Sequence, residues 1–290
     1  MSDEIPILNV PELLRTYGLR PDKRLGQNFL VDPVALERVV MAAELTPQDT
    51  ILEIGPGLGS LTRYLACAGR QVIAVELDGR LIPPLQEVLR PYPNVHIVKG
   101  DILQLNLREL MAPCLPQVGQ DIEQREGYVV VANIPYYITS PLLRHLLENS
   151  LPPKRLTLTV QMEVALRICA TPGEMSLLAL GVQVYGQPRI AARIPAGAFY
   201  PVPQVDSAVV RVELFPQALF PAPVLKGVFR LAKAGFSQKR KMLRNALSSG
   251  LHLSASQAEE LLHRASIDPT RRAETLSLDE WGKLAKIYFT

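Results

Sequence analysis

Short runs of apolar, mostly β-branched residues recur along the first two thirds of the chain, at 50–54, 71–75, 95–98, 128–132 and 156–160. Most are apolar at successive positions, the pattern of strands covered on both faces. Between them, 60–69, 79–90 and 140–148 are each long enough for a crossover helix. Strand, helix and strand in repetition predict a parallel, doubly wound α/β sheet. Two later runs, 189–194 and 207–214, are joined by a Pro-rich bridge with no helix, so they are expected to pair antiparallel at the sheet edge. Ahead of the sheet, Asp32 is a candidate N-cap for a helix to about residue 43, with Pro33 in its first turn. The polar stretch 113–127 reads as a surface insertion. Pro216, Pro221 and Pro223 mark a hinge, and only helical patterns follow, at 224–234, 237–247, 256–265 and 278–288. The expected organisation is a sheet domain with an N-terminal helical extension over 1–215 and a small all-helical domain over 216–290.

Composition narrows the function classes. The 290 residues, 48% hydrophobic and 20% charged, suffice for one substantial core and a smaller one. No run of 18 uncharged apolar residues exists, so no helix is expected to span a membrane. Met1-Ser2-Asp3-Glu4 is acidic where a signal peptide is basic. Cys67, Cys114 and Cys169 are far apart and the four histidines are scattered, which argues against a disulfide framework and against a metal site. The expected compartment is the reducing cytoplasm. Nothing calls for a partner chain, and a monomer is expected. The net charge of +3 is unevenly spread: residues from 215 onward hold 12 Lys and Arg against 6 Asp and Glu, and those before hold 19 against 22. A basic tail suits a polyanionic partner, although a solvated helical surface has the same composition.

The chemistry collects at strand ends. Glu53-Ile54-Gly55-Pro56-Gly57-Leu58-Gly59 follows the first strand and opens a helix, so a ligand can lie against bare backbone there. Glu76 ends the second strand, where a carboxylate can accept both hydroxyls of a ribose. Asp101 follows the third strand and is placed to accept from an adenine amine, with Ile102 against the ring; a plain turn-capping Asp is the other reading. The glycine spacing is G-x-G-x-G where a dinucleotide site has G-x-G-x-x-G, and the loop carries no basic residue for a pyrophosphate. S-adenosylmethionine fits this arrangement better than NAD.

Asn133-Ile134-Pro135-Tyr136 lies after the fourth strand, where open α/β sheets place their chemistry. An adenine N6 lone pair is delocalised into its ring and is a poor nucleophile. The Asn133 side chain and the carbonyl of Ile134 or Pro135 can accept hydrogen bonds from that NH2, which favours a pyramidal nitrogen. Pro135 adds no competing N–H, and Tyr136 offers a stacking face. A strand-ending turn with a packing Tyr would look the same in isolation.

The chain resembles the small-subunit ribosomal RNA adenine N6-dimethyltransferase family from about residue 20 to the end. The collinear blocks are Gln27-Asn28-Phe29-Leu30 with the Lys23-Arg24-Leu25-Gly26 before it, Glu53 to Gly59, Ala74 to Asp78, Gly100-Asp101, Asn133 to Tyr136, Phe199 to Ser207, Phe236 to Leu247 and Asp268 to Leu276. The resemblance implies a Rossmann-like methyltransferase whose donor is held by Asn28, Leu30, Gly55, Gly57, Glu76, Asp101, Ile102 and Asn133. It also implies that Asn133, Pro135 and Tyr136 handle the target amine, with Phe199 across the base. The implied reaction is four methyl transfers onto two adjacent adenines near the 3′ end of small-subunit RNA, in the 30S particle. Lys239, Arg240, Lys241 and Arg244 are the expected RNA contacts, with Lys239 standing where the family is expected to have Arg. Three alternatives stay open: a large-subunit RNA methyltransferase of the macrolide-resistance type, a non-catalytic RNA-binding assembly factor, and an NAD-dependent oxidoreductase.

Overall fold

A computed structural model describes residues 5–115, 127–135 and 138–289. Tyr136 and most of the expected insertion at 113–127 lie outside the described residues. The chain divides into two compact units, one of residues 1–165 and 189–214, the other of 166–188 and 215–290. It therefore passes into the second unit twice, where the sequence pattern indicates one crossing at 215–216.

The first unit opens with α1 (Val10–Thr16), then β1 (Phe29–Leu30) and α2 (Pro33–Ala43). Asp32 caps α2 as expected, its carboxylate accepting the Ala35 N–H at 2.7 Å. The alternation that follows is β2 (Thr50–Ile54), α3 (Ser60–Ala68), β3 (Gln71–Glu76), α4 (Ile82–Leu89), β4 (Val95–Lys99), α5 (Leu107–Met111), β5 (Tyr128–Asn133), α6 (Thr139–Leu147) and β6 (Arg155–Gln161). After α7 (Met162–Ile168) and α8 (Leu177–Gln183) come β7 (Gly186–Ile194), β8 (Phe199–Tyr200) and β9 (Ser207–Leu214). Seven strands form one sheet in the order β4-β3-β2-β5-β6-β9-β7. The strands β2 to β6 are parallel, and β9 runs antiparallel to β6. All five residues of β2 are buried, Glu53 among them, which explains why its apolar residues do not alternate with exposed polar ones.

Register aligns the chemistry. Ile54 lies opposite Val75 on one side and Ala132 on the other, so Gly55, Glu76 and Asn133 come next along a single carboxyl edge. Strand order reverses between β2 and β5, the switch point at which open α/β sheets bind ligands. Above it, β1 and β8 form a two-stranded antiparallel sheet with Leu30 opposite Phe199. Val10 and Leu14 of α1 pack with Phe29, Leu58 and Leu81.

The second unit contains α8, α9 (Ala222–Phe236), α10 (Leu243–Leu251), α11 (Ala255–Arg264) and α12 (Leu278–Tyr288). Its core includes Val228, Leu231, Leu247, Leu262 and Trp281, together with Met175, Leu180 and Val184 from the middle of the chain. Ser254 and Ser277 each form a reciprocal capping box, with Gln257 and Glu280. The expected helix over 237–247 is corrected: α9 ends at Phe236, a turn follows, and α10 starts at Leu243. Ser237-Gln238-Lys239-Arg240-Lys241 offers no apolar side chain to bury, so a helix there would have no face to pack. The block from 268 to 276 is internal architecture. The Arg271 guanidinium donates to Glu280 and to the Thr275 carbonyl, while its own carbonyl accepts the Leu243 N–H at 2.6 Å.

Candidate active site

The carboxyl edge of β2, β3 and β5 and the segment 25–30 enclose a cleft of about 230 Å³. Its walls include Asn28, Leu30, Gly55, Gly57, Glu76, Asp101, Ile102, Asn133 and Pro135, so the expected donor-site residues do come together. Among the described lining residues the ionisable ones are Glu53, Glu76 and Asp101, all acids, with Glu53 kept neutral by burial. That set favours a ligand carrying positive charge, as a sulfonium and an α-ammonium do, and gives a pyrophosphate no cation to meet.

Glu76 is held by backbone. The Gly57 N–H donates to one carboxylate oxygen at 3.0 Å and the Asp78 N–H to the other at 2.7 Å. Burial raises its pKa above the ordinary carboxylate value, and these N–H groups oppose the shift. Each oxygen keeps a further lone pair, so both can still accept from vicinal hydroxyls. Gly57 has φ +59°, and a Cβ there would stand 2.9 Å from the Phe29 ring. The glycine is thus required both by its backbone and by the wall it touches. Asp101 accepts from the Leu103 N–H and the Gln104 amide, both at 3.0 Å, so it caps its own turn while lining the cleft.

Glu53 was not singled out by its sequence. It is 1% exposed, lines the cleft, and its Oε2 has no hydrogen-bond partner. Burial pushes its pKa up to about 8, the neighbouring Thr62 hydroxyl opposing and Glu76 adding to the shift. Thr62 Oγ1 itself completes no hydrogen bond. Gln27 and Phe29 also line the cleft, and their only sequence signal is adjacency to Asn28.

At the reacting end, Asn133 Nδ2 donates to the Asn28 carbonyl at 2.9 Å. With its nitrogen committed to the segment 25–30, the amide offers its carbonyl oxygen to a donor in the cleft. The Pro135 carbonyl accepts the Ile138 N–H at 3.1 Å, closing the turn after β5. Phe199 is 2% exposed, packs in the first unit's core with Leu30 and Val209, and does not line the cleft. The ring face expected to meet a base is therefore packed against protein, whereas its neighbour Tyr200 is 37% exposed.

In the second unit, Lys239, Arg240 and Lys241 are exposed on the turn between α9 and α10. Arg244 is half-buried, with its guanidinium 3.5 Å from Glu259. On α9, Lys226, Arg230 and Lys233 are exposed while Val228 and Leu231 face the core, as the spacing predicts.

Comparison with known proteins returns one family. Residues 19–289 match ribosomal RNA adenine dimethylase. Proteins named ribosomal RNA small subunit methyltransferase A are similar throughout: that of Dehalococcoides mccartyi strain 195 is 45% identical over 96% of this chain and 91% of its own, and that of Lysinibacillus sphaericus 40% over 96% and 94%. Among solved structures, the 23S rRNA methyltransferase ErmE matches 91% of this chain and 100% of its own, with a TM-score of 0.69 and 27% identity. A dimethyladenosine transferase from Plasmodium falciparum, 23% identical over 88% of this chain and 95% of its own, has the same fold at a TM-score of 0.71.

Proposed function

This chain belongs to the ribosomal RNA adenine dimethylase family, and from that premise we propose how its cleft carries out the reaction. The protein is an S-adenosylmethionine-dependent methyltransferase that dimethylates adenine in small-subunit ribosomal RNA. The observation carrying the site assignment is the acid-lined cleft whose walls bring Glu76, Asp101 and Asn133 together.

When bound, S-adenosylmethionine supplies an electrophilic methyl group on a sulfonium. Glu76 would accept from its ribose hydroxyls, Asp101 would accept from its adenine amine, and Ile102 would pack against that ring. Gly55 and Gly57 let the backbone approach closely, and Asn28 and Leu30 close the opposite wall. Asn133 Oδ1 takes a hydrogen bond from the target N6. The carbonyl of Ile134 or Pro135 takes the second. Both bonds favour a pyramidal nitrogen and hold its lone pair toward the donor. Orientation then supplies most of the acceleration, without a covalent enzyme intermediate. The target base must leave its stack, which costs a few kcal/mol, and Tyr136 stacking offsets part of it. Phe199 contributes from the core, by holding Leu30 through the β1–β8 pair.

The finer substrate is two adjacent adenines near the 3′ end, each dimethylated within the 30S particle. The helical domain beginning near residue 216 binds the RNA backbone through Lys239, Arg240, Lys241 and, more weakly, Arg244. The enzyme works as a monomer in the cytoplasm, where ribosomes are assembled. Mapping methylated nucleotides after reaction with unmodified 30S particles and with large subunits tests this reading. Dimethyladenosine at two neighbouring small-subunit positions is expected; label confined to large-subunit RNA overturns it.

A further inference from the structure

One wall of the cleft, the segment 22–30, pairs through β1 with β8 in a two-stranded sheet of its own. Polar contacts just outside the cleft tie that wall to the turn after β3. Gln27 Nε2 donates to Asp78 Oδ2 at 2.9 Å, and Gln27 Oε1 accepts the Asp22 N–H at 2.8 Å. Arg80 donates to the two Asp78 oxygens at 2.8 and 2.7 Å and reaches Asp22 at 3.4 Å. Asp78 is 7% exposed, and its own N–H is the one that donates to Glu76. One residue thus grips the wall with its side chain and the ribose-binding carboxylate with its main chain. Arg80 holds the Asp78 carboxyl down at about 2, so it remains an ionised acceptor across working pH.

We propose that Gln27 and Asp78 form a latch that holds the 22–30 wall over the donor and sets how fast donor and spent product exchange. This rests on the reading of the cleft as the methyl-donor site. Dimethylation needs a fresh donor for the second methyl on each nitrogen, so the product must leave between transfers. The far part of the wall is fixed by the β1–β8 pair, by Asn133 on the Asn28 carbonyl and by the buried Phe29 and Leu30, so the latch governs the end around 22–27, which can shift without disturbing the main sheet. Both residues are positioning residues, acting through the wall and through Glu76.

The test measures S-adenosylmethionine and S-adenosylhomocysteine binding by calorimetry and stopped flow, with steady-state kinetics on 30S particles. Losing a hydrogen bond to an ionised acceptor in Gln27→Ala should weaken both ligands about tenfold, mainly through faster dissociation. KM for the donor should rise in step, while KM for 30S particles changes less than about twofold. Gln27→Glu sets two carboxylates face to face and should lose more than Gln27→Ala. Thermal melts establish that each variant is folded. An unchanged donor affinity in folded Gln27→Ala, or a folded Gln27→Glu that binds the donor as well as Gln27→Ala, overturns the latch. A wild-type protein that binds neither ligand overturns the cleft assignment itself, a result distinct from both.

Discussion

Glu53 is the last but one residue of β2, with its carboxyl wholly inside the protein, and its chemistry follows from that burial more than from its neighbours. Its folded pKa of about 8 lies above the ordinary 4.5, so the folded state keeps a proton that the unfolded chain releases. The stability this gives is fully present below about pH 4.5 and is lost as pH rises toward 8. Glu53→Gln removes the titration while keeping the shape. Denaturant melts should therefore show the variant gaining on the wild type from pH 5 to pH 8, by up to a few kcal/mol. Asn133 carries a different kind of consequence, because its amide serves both the wall and the target amine. Asn133→Ala should lower kcat by about 10²–10³, the scale for removing one group that acts in the transition state. Donor affinity should fall less than about tenfold, reflecting only the lost bond to the Asn28 carbonyl. The two loop glycines separate strain from collision. Gly55→Ala meets only left-handed strain, its Cβ clearing the Asn133 carbonyl at 3.9 Å, whereas Gly57→Ala also strikes the Phe29 ring. Calorimetry should find donor binding weakened more at 57 than at 55.

Among elements, β3 and β5 were legible because burial on both faces leaves nearly continuous apolar runs, and Glu76 and Asn133 because they end such runs, with Asp101 just beyond the edge strand β4. What the sequence hides is whatever depends on distant partners. The strands β1 and β8 are two residues each, too short for any period, and Leu30 meets Phe199 only through the fold. Phe199 is expected across the base from its place in a motif, and its register partner Leu30 holds it in the core. Glu53 looked like ordinary strand because a strand pattern does not say which buried position is an acid without a partner. The basic turn between α9 and α10 shows the converse: its residues were legible as polyanion contacts, but helical spacing extended α10 too far back. A turn presents Lys239, Arg240 and Lys241 in different directions, so their contacts should be separable. Replacing all three with Ala should reduce the slope of log binding constant against log salt by about 2–3. Arg244→Ala should change it less, since that guanidinium already faces Glu259. Filter binding of 30S particles across a salt series measures both.

At the scale of the whole molecule, the second unit is not a C-terminal appendage that can be cut away. Its core is completed by 166–188, where Ala170, Met175, Ala179, Leu180 and Val184 are all buried against residues that follow 215. The Tyr185 carbonyl accepts the Phe215 N–H at 2.9 Å, and the Val184 carbonyl accepts the Leu219 N–H at 2.9 Å. Truncation after Leu214 therefore strips the cover from a mid-chain apolar cluster while leaving the cluster in place. Leaving five aliphatic or thioether side chains uncovered, and the Val184 and Tyr185 carbonyls without partners, costs more than a marginally stable domain can absorb. The truncated chain should bind a hydrophobic dye, lose solubility, and melt well below the full protein. Supplying residues 215–290 as a separate polypeptide during expression restores the missing half of the core, so the two pieces should co-purify and the dye signal should fall. A truncated chain that is monomeric, dye-silent and as stable as the full protein would show that 166–188 finds its cover within the first unit, and the division of the molecule at its second crossing would have to be redrawn.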